Sequence, residues 1–333
     1  ADIFLGQPNR ANTQYRRDLG KRKEGTLDLK TDGEDDGYRN SDVELDGARL
    51  LENLHAVQTR SGVPLSKALA ATDGLGAVSL DVEMETGTGK TYVYIKTMFE
   101  LNKRYGWSKF IIVVPSIAIR EGVAKSFRML EGHFMEHYGK KARWFVYNSS
   151  RLNELDAFSH DAGLSVMIIN TQAFAASMKE GGRSKESRII YTKRDEFASR
   201  RPIDVIAANR PIIIMDEPQK MGGDATQTAL KRFKPLFVLN YSATHKKHND
   251  TVYALDALDA YQQKLVKRIR VIGFEIKNLR GTSGYMYLDN IVLSHSKPPM
   301  ARIEIEVKFF NDTATTEIYT IAYTLSLHDA LPI

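Results

Sequence analysis

From Val78 the chain alternates apolar and polar positions, with Val78, Leu80, Val82 and Met84 on one side of the alternation, which is the period of a β-strand. A glycine-rich turn follows. The pattern then changes to a helical one over Lys90–Tyr105, where Tyr94, Met98, Leu101 and Tyr105 recur three or four residues apart and Gly106 supplies a stop. Four short, strongly apolar runs come next: Phe110–Val114, Val166–Ile169, Pro211–Met215 and Leu236–Leu239. They are too short for independent helices and rich in β-branched residues, which suits strands covered on both faces. Helix-compatible stretches lie between several of them, and strand–helix alternation predicts an α/β fold with a parallel sheet. Residues 1–75 are more polar. Their one predicted helix runs from Asp42 to about Thr59, with Val43, Leu50, Leu51, Leu54 and Val57 as its apolar stripe.

Composition narrows the chemistry. Cysteine is absent from the 333 residues, which excludes disulfides, zinc–thiolate centres and thiol catalysis. No apolar stretch reaches the roughly 18 residues of a membrane span, and no signal peptide is visible. These features fit a cytoplasmic protein with no membrane partner. The net charge of +6 is unevenly spread: Asp28–Asp46 is acidic and turn-rich, and Lys264–Arg270 is basic. A basic body is compatible with a phosphate-rich partner, although many soluble proteins share it.

The most informative residues are Met84-Glu-Thr-Gly-Thr-Gly-Lys-Thr91. A glycine-rich loop between a strand and a helix aims backbone N–H groups at a polyphosphate, and the helix N-terminus adds its dipole. Thr86, Gly87, Thr88, Gly89, Lys90 and Thr91 are therefore the candidate nucleotide-binding residues. Lys90 reaches for the β- and γ-phosphates, and the Thr91 hydroxyl is a candidate magnesium ligand. The usual pattern begins with glycine; here that position is Met84.

Ile212-Ile-Ile-Met-Asp-Glu-Pro-Gln219 is an apolar strand that ends in two acids. Such an ending puts carboxylates at the carboxyl edge of the sheet, beside the phosphate loop. Asp216 is assigned to the magnesium shell and Glu217 to orienting or deprotonating the attacking water, so that Lys90, Asp216 and Glu217 form the catalytic set. Leu239-Asn-Tyr-Ser-Ala-Thr-His245 closes another apolar strand, and Ser242 and Thr244 are placed to sense the phosphate state through the acidic motif. An Asp-Glu pair or a Ser-Ala-Thr triplet alone is usually a solvated strand end; in this order behind a phosphate loop, they carry weight.

The ordered set resembles motifs I, II and III of superfamily-two helicases and translocases. Met84–Lys96, Phe110–Val123, Asp216–Gln219, Tyr241–His245 and Leu265–Lys267 together resemble the restriction (Res) subunit family of Type III restriction-modification enzymes, from about residue 40 to 300. The resemblance implies a RecA-like P-loop NTPase lobe, part of a two-lobed helicase core that uses ATP and Mg²⁺ to act on DNA. It further implies a downstream endonuclease and a modification (methyltransferase) subunit as partner. Gln219 stands where relatives often carry Asp or His, and joins Ser242 and Thr244 as a coupling residue. By analogy, Ser116 and Arg120 (after Pro115) and Thr171 and Gln172 are candidate DNA contacts, with helix capping and surface charge as the plain alternative. A second lobe would normally contribute an arginine to phosphoryl transfer; no convincing motif for it follows His245, and no nuclease constellation is found. The parent protein is thus expected to be an ATP-dependent restriction subunit, with this stretch binding nucleotide weakly and turning it over poorly. The rival readings are a stand-alone superfamily-two helicase and a degenerate nucleotide-binding module.

These motifs set expected boundaries: residues 1–75 as a truncated polar segment, 76–248 as the ATP-binding lobe, 249–308 as a linker and the start of a second lobe, and 309–333 as a non-native tail. The tail is assigned because residues 311–320 and 324–333 resemble a translated short-read sequencing adaptor. His133-Phe-Met-Glu-His137 matches a zinc-peptidase spacing but has no evident third ligand, and is assigned to helix surface.

Overall fold

A computed structural model describes residues 1–11, 13–20, 36–175, 189–245, 249–266, 282–292, 300–310 and 316–326. Of the stretches singled out above, residues 28–35, 267–270, 311–315 and 327–333 lie outside these. The chain divides into two compact units, Ala1–Lys267 and Arg268–Ile333.

The first unit opens with a 3-10 turn, Asp2–Phe4, and a small antiparallel ribbon of β1 (Gln14–Arg16) and β2 (Asp36–Tyr38). Helix α1 spans Gly47–Ser61. It starts five residues later than the apolar stripe predicts, because Asp46 acts as its N-cap and accepts a hydrogen bond from the Arg49 amide. Then come β3 (Ser79–Met84), α2 (Lys90–Tyr105), β4 (Lys109–Val114), α3 (Ile117–Tyr138), β5 (Arg143–Val146), α4 (Asn153–His160) and β6 (Ser165–Asn170). Helix α5 (Pro202–Ala208), β7 (Ile212–Asp216), α6 (Asp224–Lys231), β8 (Val238–Ser242), β9 (Asp250–Leu255) and α7 (Ala257–Gln262) complete the unit.

Seven strands form one sheet in the order β5-β6-β4-β7-β8-β3-β9, and every pairing is parallel. This is the α/β arrangement with a parallel sheet that the alternation predicts. Strand β4 shows why its run is apolar throughout: Phe110, Ile112 and Val114 enter one core while Ile111 and Val113 enter the other. The first core is closed by α1, α2 and α3, and the second by α4, α5 and α6.

Two findings differ from the expected boundaries. The N-terminal residues do not stand apart from the lobe. Phe4 is 1% exposed and packs on Trp107 and Phe237, with ring centroids 5.0 and 4.5 Å away. Asn40 donates to the carbonyls of Lys109 and Arg210, and accepts from the amides of Ser108 and Lys109, tying the segment to the amino ends of β4 and β7. Residues 250–255 likewise form the edge strand of the sheet. Polar anchors hold them there: Asp250 accepts from the Ser66 hydroxyl and the Ala70 amide, and buried Asp81 accepts from the Asn249 amide and side chain. Anchors of this kind leave no hydrophobic period in the sequence.

The second unit shows an antiparallel three-stranded sheet of β10 (Thr282–Val292), β11 (Met300–Phe310) and β12 (Thr316–Ser326). Strand β12 falls inside the stretch that resembles translated adaptor, and it pairs with β11 from Met300↔Ser326 to Phe310↔Thr316.

Candidate functional site

All three motifs end on the carboxyl edge of the sheet. Strand β3 leads into the phosphate loop, β7 into the acidic pair and β8 into Ser242–Thr244, with β8 lying between the other two. The loop turns tightly after Met84: the Thr88 amide and hydroxyl both donate to the Glu85 carbonyl, at 3.3 and 2.6 Å. The Glu85 amide donates to Leu255 at the end of β9. Gly87 and Gly89 have φ of +85° and +95°, a backbone region that glycine enters at little cost, and Gly89 is the N-cap of α2. Apart from the adjoining backbone and chain neighbours, no heavy atom of the described residues lies within 4 Å of where a Cβ would stand on either glycine. The loop is therefore open to a ligand, with Thr86, Gly87 and Gly89 exposed and Thr88, Lys90 and Thr91 half-buried.

Lys90 crosses from α2 to form an ion pair with the Glu217 carboxylate, joining residues 127 positions apart. Glu217 itself has φ 61° and ψ 58°, an uncommon conformation for a residue with a side chain. Its amide remains tied to the Tyr241 carbonyl, and Lys220 donates back to the Glu217 carbonyl, so the turn aims the carboxylate at the loop. The Gln219 side-chain amide donates to the other Glu217 oxygen, and the Ser242 hydroxyl donates to Gln219 Oε1 at 2.7 Å. The Thr244 amide donates to Ser242 Oγ at 3.1 Å. The three residues assigned to coupling thus form one hydrogen-bonded chain that ends on Glu217.

The two adjacent carboxylates shift in opposite directions. Burial, reinforced by the charge of Glu217, pushes the Asp216 carboxyl up to about 6 against the pull of Lys90. Burial also works against the Glu217 charge, but the Lys90 hydrogen bond and charge, with Gln219 and Lys220 behind them, outweigh it and hold this carboxyl below its usual range. A hard carboxylate on β7 and a hydroxyl at Thr91 make an oxygen donor set suited to magnesium, which accepts one or two protein oxygens and completes its shell from phosphate and water.

One member of the site does not stand out in the sequence. The helical period places Tyr94 only in the apolar stripe of α2. It is fully buried and donates to Asp216 Oδ2 at 3.4 Å. Burial holds its phenol well above the usual range. Its helical spacing conceals its role, since a core tyrosine and a site tyrosine look alike in a stripe.

The candidate DNA residues occupy the same edge, farther along. Ser116 caps α3 after β4, accepting from the Ile119 amide at 3.3 Å, and Arg120 pairs with Glu121 at 3.0 Å. Thr171 and Gln172 lie in a 3-10 turn after β6, beside the end of β4, where Val114 pairs with Asn170. His133, by contrast, is engaged by the Tyr92 hydroxyl at 2.9 Å, and His137 by the His133 carbonyl at 2.8 Å. Among the described residues, no helix is long and apolar enough to cross a membrane.

The Res subunit of the Type III restriction-modification enzyme EcoP15I of Escherichia coli is 32% identical over 246 residues, covering 69% of this chain and 25% of the relative. The Res subunit of EcoPI of Escherichia phage P1 is 30% identical over 253 residues, with the same two coverages. The chain therefore spans about a quarter of the length of these relatives. A crystal structure of the DUF1998 helicase MrfA bound to DNA matches 73% of this chain and 30% of its own at 13% identity and a TM-score of 0.33, too distant to carry argument. The model of the family "Type III restriction enzyme, res subunit" matches residues 67–247, more than half of the chain, and with the three motifs all inside that span or at its edge, the chain belongs to that family.

Proposed function

We propose that the first unit binds ATP with magnesium and hydrolyses it, as the engine of a DNA-acting restriction subunit. The observation that carries this reading is the meeting of Lys90 with Glu217, beside Asp216, at the open mouth of the glycine loop. Incoming polyphosphate competes for Lys90 with a single carboxylate, and its greater charge favours the exchange. Glu217, released and still ionised, can then take the proton of the water that attacks the terminal phosphorus as the β–γ bridging bond breaks. Bound magnesium would draw charge from the phosphate oxygens, with Thr91 and Asp216 as its protein ligands. Gln219, Ser242 and Thr244 would carry the change at Glu217 to the end of β8, which is the coupling role assigned to them.

In the same proposal, Ser116, Arg120, Thr171 and Gln172 meet the DNA backbone, and a modification subunit is the protein partner. The cations set against Glu217 are Lys90 and Lys220. The same proposal includes slow turnover by this stretch. Fluorescent-nucleotide binding and phosphate release test the reading. Lys90→Ala should weaken binding at least tenfold, and Glu217→Gln should bind but release no phosphate above background. Binding untouched by Lys90→Ala would refute it.

A further inference from the structure

We infer that Tyr94 is a positioning residue that holds Thr91 and Asp216 in register as a single magnesium-binding pair. The inference rests on the nucleotide reading above and adds to it a residue that belongs to none of the three motifs.

The geometry begins with α2. Thr91 and Tyr94 are three residues apart, so they lie on one face of the helix. The Tyr94 hydroxyl donates to Asp216 Oδ2 at 3.4 Å. One phenol therefore bridges the helix that carries the phosphate loop and the strand that carries the acidic pair, 122 positions away in sequence. The bridge holds one Asp216 oxygen and leaves the carboxylate's other oxygen for a ligand.

The phenol is itself immobilised. Tyr94 is 0% exposed, and its ring meets Tyr241 of β8 edge-on, 5.5 Å between centroids at 68°. Tyr241 is fixed in turn by donating to the Thr97 hydroxyl at 3.1 Å, one turn farther along α2. The hydroxyl is thus held by packing on α2, β7 and β8 together. Because magnesium tolerates little departure from octahedral oxygen placement, two ligands on separate elements gain from a rigid tie between them. A tyrosine that merely filled the core would need no such polar partner, and phenylalanine would serve there as well.

The test uses the full chain and a fluorescent ATP analogue, with affinity measured as magnesium is raised from zero. Tyr94→Phe keeps the ring and deletes the bridge. Its magnesium-free affinity should stay within about twofold of the parent, while the magnesium concentration at half of the metal-dependent gain rises about tenfold. Para-aminophenylalanine at position 94 restores a donor on the same ring and should recover most of that shift. An unchanged half-point in Tyr94→Phe overturns the inference, as does an equal loss with and without magnesium, or a failure of the amino analogue to rescue. These outcomes differ from failure of the nucleotide reading, which would appear as binding in the parent chain that is indifferent to magnesium and to Lys90→Ala, and would take this inference with it.

Discussion

Asp216 and Glu217 are neighbours in sequence, yet one is driven toward its neutral form and the other toward its charged form. The difference is a partner: Glu217 has Lys90 in contact, whereas Asp216 is 6% exposed with a phenol as its nearest donor. With its folded-state value raised from 3.8 to about 6, Asp216 keeps a proton in the native state over a pH range in which the unfolded chain has released it. Native stability therefore falls as pH rises through that window, and the full cost is present above about pH 6. A rise of that size costs roughly 3 kcal/mol as an order of magnitude. Asp216→Asn removes the buried charge, so without magnesium it should be more stable than the parent at pH 7.5 by about 1–3 kcal/mol and near parity at pH 4. Urea unfolding at the two pH values measures this. A variant less stable than the parent at pH 7.5 would show that Asp216 does more for the fold than burial suggests. The stability gained should come with loss of magnesium-dependent nucleotide binding, the usual opposition between a tuned site and a relaxed one.

At the scale of elements, the sequence shows most clearly those whose period or cap is local. Helix α2 begins at Lys90 and ends at Tyr105 as its stripe and its flanking glycines predict, and β3, β4, β6 and β7 lie within one or two residues of their apolar runs. Elements held by distant polar contacts are not legible in this way. Strand β9 has only Asp250 and Leu255 fully buried and is fastened through Asp250, Asn249 and Asp81, so it reads as linker. The N-terminal turn is hidden for a related reason: two buried residues, Ile3 and Phe4, cannot establish a period. Phe4 nevertheless packs against Tyr105, Trp107 and Phe237, which join the end of α2 to the sheet. Phe4→Ala should therefore destabilise the whole first unit by about 3–5 kcal/mol, the cost of an aromatic-sized core deletion. A loss below about 1 kcal/mol in a cooperative urea transition would mean the turn is an accessory to the lobe and not part of its core.

For the whole molecule, the candidate site is more legible than the boundaries around it. Asp216, Glu217, Ser242 and Thr244 each sit at the last residue of a strand or just after it, Lys90 follows the loop that leaves β3, and a parallel sheet brings all such ends to one edge. Tyr94 escapes because its partner lies across the fold. The boundaries escape because compactness depends on contacts from both ends: Asn40 reaches β4 and β7, and Gln58 in α1 donates to the Thr251 carbonyl in β9, 193 positions away. A unit closed this way has its sheet, both cores and its proposed nucleotide contacts within Ala1–Lys267. A chain ending at Lys267 should accordingly unfold in one cooperative transition at the parent's midpoint, and bind the ATP analogue within about twofold of the parent's affinity. If instead it aggregates, or its midpoint falls by more than about 4 °C, a change of roughly 1 kcal/mol or more for a unit of this size, residues 268–333 contribute to the stability of the first unit. The nucleotide reading is separable from that outcome, because Lys90→Ala in the shortened chain must still weaken whatever binding remains at least tenfold.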